Sequence, residues 1–164
     1  MKSSEPNTIR QASADDAVAI HALIAALAES LGDRNRVSAT VSDIRAALSG
    51  AEPALYAFIA ERDEQVLGGA TFFLTFSTWR GTRGVYLQDI YVSPAWRGSG
   101  GGKKLLASVV SWAAEHGADH LRLSVDHDNP EAQAFYQNAG MSYCDKEMIY
   151  QIEDRAFEAL RVLS

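Results

Sequence analysis

A chain of 164 residues, 47% apolar and 22% charged, is sized and composed like one globular domain and unlike a disordered or fibrous polymer. Its net charge of -6 argues against a nucleic-acid partner, whose binders carry a basic face, and is compatible with a cationic substrate. No apolar run approaches the roughly 18 residues of a membrane span, and Met1-Lys2-Ser3-Ser4-Glu5-Pro6 lacks the apolar core of a signal peptide, so a cytoplasmic location is expected.

Taken in chain order, Thr8–Arg10 reads as a short opening strand. Ser13-Ala14-Asp15-Asp16 has the form of a capping box and opens an apolar helix to about Ala28. Thr40-Val41-Ser42-Asp43 repeats the signal before a second helix ending near Ser49-Gly50. Leu55–Glu61 and Val66–Ser77 are strands around the polar turn Arg62-Asp63-Glu64-Gln65, and Gly84–Ser93 is a third, stopped by Pro94. A helix is expected from about Lys103 to His116, because Leu105, Leu106, Val109, Val110 and Ala113 recur at helical spacing before Gly117.

Leu121–Val125 follows as a short strand. Asn129-Pro130 caps a further helix that Gly140 closes. Met141–Cys144 and Met148–Ile152 are expected to finish the sheet, with room for a final helix. The pattern predicts an α/β fold: a mixed, mostly antiparallel central sheet flanked by helices on both faces, in a single domain over residues 1–164. Cys144 has no second cysteine to pair with and is expected as a buried, small apolar group. With only four scattered histidines, no metal site is expected.

The strongest chemical signal lies between strand and helix, in Arg97-Gly98-Ser99-Gly100-Gly101-Gly102-Lys103. Glycine lets the chain turn with positive φ and lets a ligand approach the backbone, and a helix N-terminus favours an anion, typically a phosphate. A Walker A loop fails here, because Gly102-Lys103 is followed by Lys104 and the position five before Gly102 is Arg97. A dinucleotide fingerprint fails too, since Gly98-Ser99-Gly100 leads to Lys103 and Gly100-Gly101-Gly102 to Leu105.

The pattern that fits is Arg-x-x-Gly-x-Gly, as Arg97, Gly100 and Gly102; in order after it come Asn129, Ala132, Phe135, Tyr136 and Gly140, as Asn-x-x-Ala-x-x-Phe-Tyr-x-x-x-Gly. In these two motifs the chain resembles the Gcn5-related N-acetyltransferase (GNAT) superfamily, over about residues 8–152. Ser77-Thr78-Trp79-Arg80-Gly81 and Tyr86-Leu87-Gln88-Asp89-Ile90-Tyr91-Val92 further resemble its spermidine/spermine and thialysine acetyltransferase branch. The resemblance implies acetyl-CoA as co-substrate, a primary amine of a small polyamine or lysine-like molecule as acceptor, and a homodimer. It implies that Ile90, Tyr91 and Val92 meet the pantetheine arm and that Arg97 and Gly98, Ser99, Gly100, Gly101, Gly102 and Lys103 form the pyrophosphate site. Asn129, Pro130, Glu131 and Ala132 would touch the cofactor, Tyr136 would serve as the acid, and Trp79, Gln88 and Asp89 would sit near the amine. The branch carries an acid where this chain has Gln88, and an amide neither balances a cation nor accepts its proton at neutral pH. A peptide or aminoglycoside amine as acceptor, and a silent CoA-binding module, are the competing readings.

An amine with a pKa near 10.4 is protonated at pH 7, and removing that proton costs about 4–5 kcal/mol. The reaction therefore needs a base or the capture of rare neutral amine, and backbone N–H groups of the Gln88–Val92 strand, released by a bulge or splay, would stabilise the oxyanion. Asp89 acts through water or anchors a loop; Glu29, Glu52 and Glu147 are unranked alternatives for the base. In a regular strand Gln88 and Asp89 face opposite ways. Trp79 is read as an alkylammonium contact and Trp96 as core.

Overall fold

The Ser13 side chain accepts from the Asp15 N–H at 3.2 Å while Asp16 accepts from the Ser13 N–H at 2.8 Å, closing the first capping box. In this computed structural model, which describes residues 8–162, that box opens a single 3-10 turn before helix α1, Ala17–Ser30. Thr40 caps α2, Val41–Ala47, by the same reciprocal bonds. Strand β1 spans Thr8–Gln11, β2 Tyr56–Arg62, β3 Gln65–Ser77 and β4 Thr82–Val92. The β2–β3 turn places Asp63 and Glu64 at φ 49° and 63°, the left-handed pair that matches strand twist in a two-residue hairpin. Helix α3, Gly101–Glu115, is followed by β5, Ala118–Arg122. The five strands form one sheet in the order β1-β2-β3-β4-β5, antiparallel except for the parallel β4–β5 pair.

Two adjacent glycines of β3 let helices close on both faces. A Cβ on Gly69 would come within 2.6 Å of Leu23 of α1, and one on Gly68 within 3.4 Å of Leu105 of α3. Neighbouring strand residues point to opposite faces, so α1 covers one side and α3 the other. On the first side Ala17, Ile20, Ile44, Ala57 and Ile59 form the core; on the second, Ala60, Leu67, Trp96 and Leu105 do so. Phe72 extends the second core, its ring 5.0 Å from that of Trp112. Trp96 is buried, as its reading as core requires.

The described contacts divide into two compact units, the first ending at Ser124 and the second beginning at Val125. The second holds α4, Pro130–Asn138, and α5, Asp154–Arg161. Two expectations fail in it. Met141–Cys144 and Met148–Ile152 form no strand, because alternation describes a pleated surface only where a neighbouring strand supplies the ladder, and no described strand pairs with them. Tyr143, Met148, Ile149 and Tyr150 are accordingly exposed. Cys144 lies in the same stretch and is exposed, not a buried apolar group. In the first unit β5 begins three residues before the expected Leu121, since its ladder with β4 starts at Arg83 with Ala118. No described helix is long and apolar enough to cross a membrane.

Candidate active site

The β3–β4 ladder keeps step from Gly68 with Val92 to Thr71 with Asp89, then pairs Phe72 with Leu87. Gln88 is the extra residue of a β-bulge, the device that re-aims side chains at a strand's working edge. Asp89 thus faces the α1 side beside Thr71, whereas Gln88 is exposed. On its other edge β4 pairs with β5 only as far as Tyr86 with Arg122, although β4 continues to Val92. The Ser93 N–H donates to the Leu67 carbonyl at 2.8 Å, so by alternation Ile90 and Val92 turn their N–H and C=O groups away from β3, toward the splayed side.

A shallow, open cleft lies between α1 and the bulged strands. Ile20, Leu23, Ile24 and Leu27 of α1 form its wall, and Gly69, Ala70 and Thr71 its floor. Asp89 and Tyr91 supply its β4 side. Burial pushes the Asp89 carboxyl above the usual carboxylate range, and the Thr71 hydroxyl, donating to Oδ2 at 2.7 Å, pulls in the opposite direction. Desolvation is the larger effect. Asp89 is therefore a carboxyl poised closer to neutrality than a surface aspartate, set in an aliphatic cleft.

The glycine loop begins where β4 ends. Ser99 Oγ donates to the Trp96 carbonyl at 2.7 Å, tying the loop to a buried indole. Gly98 and Gly100 sit at φ 74° and 81°, in the left-handed region, and a Cβ on Gly101 would come within 2.6 Å of the Trp96 ring. Gly100 is the N-cap of α3 and offers no side chain to it; the first helical bond runs from the Lys104 N–H to the Gly100 carbonyl, 3.0 Å. The N–H groups of Gly101, Gly102 and Lys103 precede that bond and so have no helical acceptor. Together with the helix dipole they make an anion site, with Lys103 and Lys104 exposed beside it.

Arg97 donates from Nε to the Val92 carbonyl at 3.0 Å and lies 5.9 Å from the Tyr91 ring centre. Ser93 Oγ is buried with no hydrogen-bond partner among the described residues, a polar atom at the junction of strand and loop that a ligand's polar arm would satisfy. These residues fit a long anionic ligand that lays a polar arm along β4 and its phosphates on the loop.

In the second unit Asn129 Oδ1 accepts from the Ala132 N–H at 3.0 Å, with Pro130 opening α4 and Glu131 in its first turn. Gln133 donates its amide to the carbonyls of Asp126 and His127, both at 3.0 Å, fastening the approach to that helix. Tyr136 is half-buried, its ring edge-on to Phe135 at 5.0 Å.

Of the residues expected near the amine, only Asp89 lines the cleft. Gln88 does not line it, because the bulge turns it out. Trp79 is fully exposed at the β3–β4 turn, roughly 20 Å along the strands from Thr71 to Ser77. Thr71 and the α1 wall were not anticipated as site residues. Their one signal in the sequence was Ile20, Leu23, Ile24 and Leu27 at spacings of three and four along a helix, which is equally a core stripe.

Residues 21–141 match the model of the Acetyltransferase (GNAT) family. The chain is 34% identical over 140 residues to thialysine N-epsilon-acetyltransferase of Bos taurus, covering 80% of this chain and 82% of that protein. Its fold is similar to an integron cassette protein from V. cholerae, with a TM-score of 0.79 at 23% identity over 96% of this chain and 99% of the other. It is also similar to an aminoglycoside N-acetyltransferase solved with CoA, with a TM-score of 0.73 at 21% identity over 94% and 99%. An anion-binding loop closing a splayed strand, matched across most of the chain by sequence and by fold, places this protein in the GNAT acetyltransferase family as an acyl-CoA-dependent N-acetyltransferase.

Proposed function

We propose that residues 1–164 act as one domain that transfers the acetyl group of acetyl-CoA to the primary amine of a small molecule, with Asp89 receiving that amine. The observation carrying this reading is the carboxyl of Asp89, its pKa raised by burial, in an apolar cleft on the bulged strand that leads into the glycine loop. The similarity to thialysine N-epsilon-acetyltransferase supports a small acceptor.

Acetyl-CoA supplies an activated thioester carbonyl. The chain's own residues hold and orient it: the N–H groups at Gly98–Lys103 take the diphosphate, with Arg97 and Ser99 bracing the loop. Ile90, Tyr91 and Val92 run along the pantetheine arm, and Asn129–Ala132 make the remaining contact. At the acceptor, a carboxyl whose pKa is raised is closer to that of an alkylammonium, which narrows the cost of moving the proton. Backbone N–H groups on the free side of β4 are aimed where negative charge develops on the carbonyl oxygen. Tyr136 donates to the departing thiolate. A thiol-like leaving group with a pKa near 8.5 needs that proton only modestly, so Tyr136→Phe lowers kcat by about tenfold with acetyl-CoA affinity unchanged. A stopped-assay comparison of kcat with a calorimetric Kd checks this, and an unchanged kcat removes the role.

The test of the function is thiol release from acetyl-CoA across polyamines, lysine analogues, an aminoglycoside and short peptides. Release that depends on a small amine supports the reading; binding of CoA without turnover for any amine replaces it with a CoA-binding module. We also infer a homodimer working in the cytoplasm, with the exposed apolar side chains Tyr143, Met148, Ile149 and Tyr150 as the support for a second copy. Light scattering at micromolar concentration is expected to give twice the chain mass of 17.8 kDa, and a monomer at all concentrations contradicts it.

A further inference from the structure

No turn calls for glycine at position 101. Gly101 is the first residue of α3, and its φ lies outside the positive range that marks Gly98 and Gly100. Alanine would be the better helix former there. What excludes a side chain is Trp96: a Cβ on Gly101 would stand 2.6, 2.7 and 2.8 Å from Cδ2, Cε2 and Cε3 of the indole. The ring has no room to retreat. It is 2% exposed, and its Cε3 lies 3.4 Å from where a Cβ on Gly68 of β3 would stand. Ala60, Leu67 and Leu105 complete the cluster around it. Its backbone is held as well, the Trp96 N–H donating to the Ser93 carbonyl at 2.9 Å and the Trp96 carbonyl accepting from Ser99 Oγ at 2.7 Å.

Resting on the reading of Gly98–Lys103 as the site of the coenzyme's diphosphate, we infer that Trp96 is a positioning residue for that site. The indole is the seat that sets the height of the first turn of α3, and Gly101 is glycine so that the turn can rest on it. Gly101 also supplies the first of the N–H groups without a helical acceptor. Carbon atoms in contact stand about 3.5 Å or more apart, so a methyl group at Gly101 lifts the turn by roughly 0.9 Å. An N–H···O bond keeps its strength over only about half an ångström, from ~2.7 to ~3.2 Å. The lift exceeds that window, and the donors lose the phosphate while the helix itself persists.

Gly101→Ala is expected to weaken CoA binding by at least about tenfold in calorimetric titration, and binding of pantetheine, which lacks the diphosphate, by less than about twofold. Adding Trp96→Leu puts a smaller, flexible side chain under the loop, and the double variant binds CoA more tightly than Gly101→Ala alone. Trp112→Leu is the control for lost packing. Trp112 lies on the same helix, 6% exposed, with its ring 5.0 Å from that of Phe72. Its replacement lowers Tm and leaves the ratio of CoA to pantetheine affinity unchanged. CoA binding by Gly101→Ala equal to that of the unmodified protein, equal losses for both ligands, or a folded double variant that recovers nothing overturns the inference. Should the double variant not fold, the two Kd values of Gly101→Ala decide. An unmodified protein that does not distinguish CoA from pantetheine rejects the diphosphate-site reading itself, and the inference with it.

Discussion

Asp89→Asn lowers kcat/KM for every amine acceptor by about a hundredfold or more, with acetyl-CoA bound as before. The amide keeps the shape and still accepts from the Thr71 hydroxyl, which now reaches Asp89 at 2.7 Å, so the loss reports charge and proton transfer rather than packing. Initial rates at varied amine and a calorimetric Kd for acetyl-CoA measure the two halves separately; equal losses in both contradict the assignment. The pH dependence follows from the same burial. Desolvation raises this carboxyl's pKa, so the rising limb of kcat/KM lies above the range of an ordinary aspartate. Thr71→Val removes the hydrogen bond that favours the ionised form and moves that limb to still higher pH.

Stability carries the opposite sign from activity. A pKa raised by folding means the native state prefers the protonated group, so Asp89's contribution is fully present below its unfolded pKa and is lost as pH rises through the folded one. Above that folded pKa the ionised carboxylate weighs against the fold. Asp89→Asn is therefore expected to raise Tm at pH 7 while it abolishes most turnover, a pairing of effects that a damaged fold does not produce.

Gly100→Val weakens acetyl-CoA binding by about thirtyfold or more. Gly100 stands at φ 81°, where a β-branched residue costs roughly 2–3 kcal/mol; the loop escapes that strain by leaving the conformation that aims the α3 N–H groups at phosphate. The helix provides its own control. Gly117 at the other end of α3 has φ 77°, and neither glycine has a neighbour that a Cβ would strike. Gly117→Val costs similar stability by thermal denaturation and leaves the Kd for acetyl-CoA unchanged. Were the two variants to bind alike, the loop would be a turn and not a phosphate site.

The parts of the site that were legible in the sequence are those written in local rules. Four glycines in five residues, a basic neighbourhood and a following apolar helix need no tertiary context to be read as an anion-binding turn. The Thr40 box and the Asn129-Pro130 cap likewise set their helix starts within a residue. The Gln88 bulge was not legible, because it exists only in the register with Thr71 and Phe72, sixteen or so positions away on another strand.

The same holds for the early end of the β4–β5 ladder, which leaves the outer edge of Ile90 and Val92 without a β5 partner. For α1, an apolar stripe is identical in sequence whether it meets a core or leaves a cleft: Ile20 is buried while Leu23, Ile24 and Leu27 are only partly covered. Met148–Ile152 shows the converse, a strand-like pattern with no described strand to pair with it. Trp79 was placed near the amine by the resemblance and by its residue type, and its place at a hairpin turn is a matter of strand length.

Calorimetric titration of the folded protein with CoA, and then with pantetheine, which lacks the diphosphate, bears most directly on the proposed coenzyme site at Gly98–Lys103. Saturable one-to-one heat with CoA and binding at least about tenfold weaker for pantetheine is the predicted result. No heat with CoA, or equal affinity for the two, contradicts it.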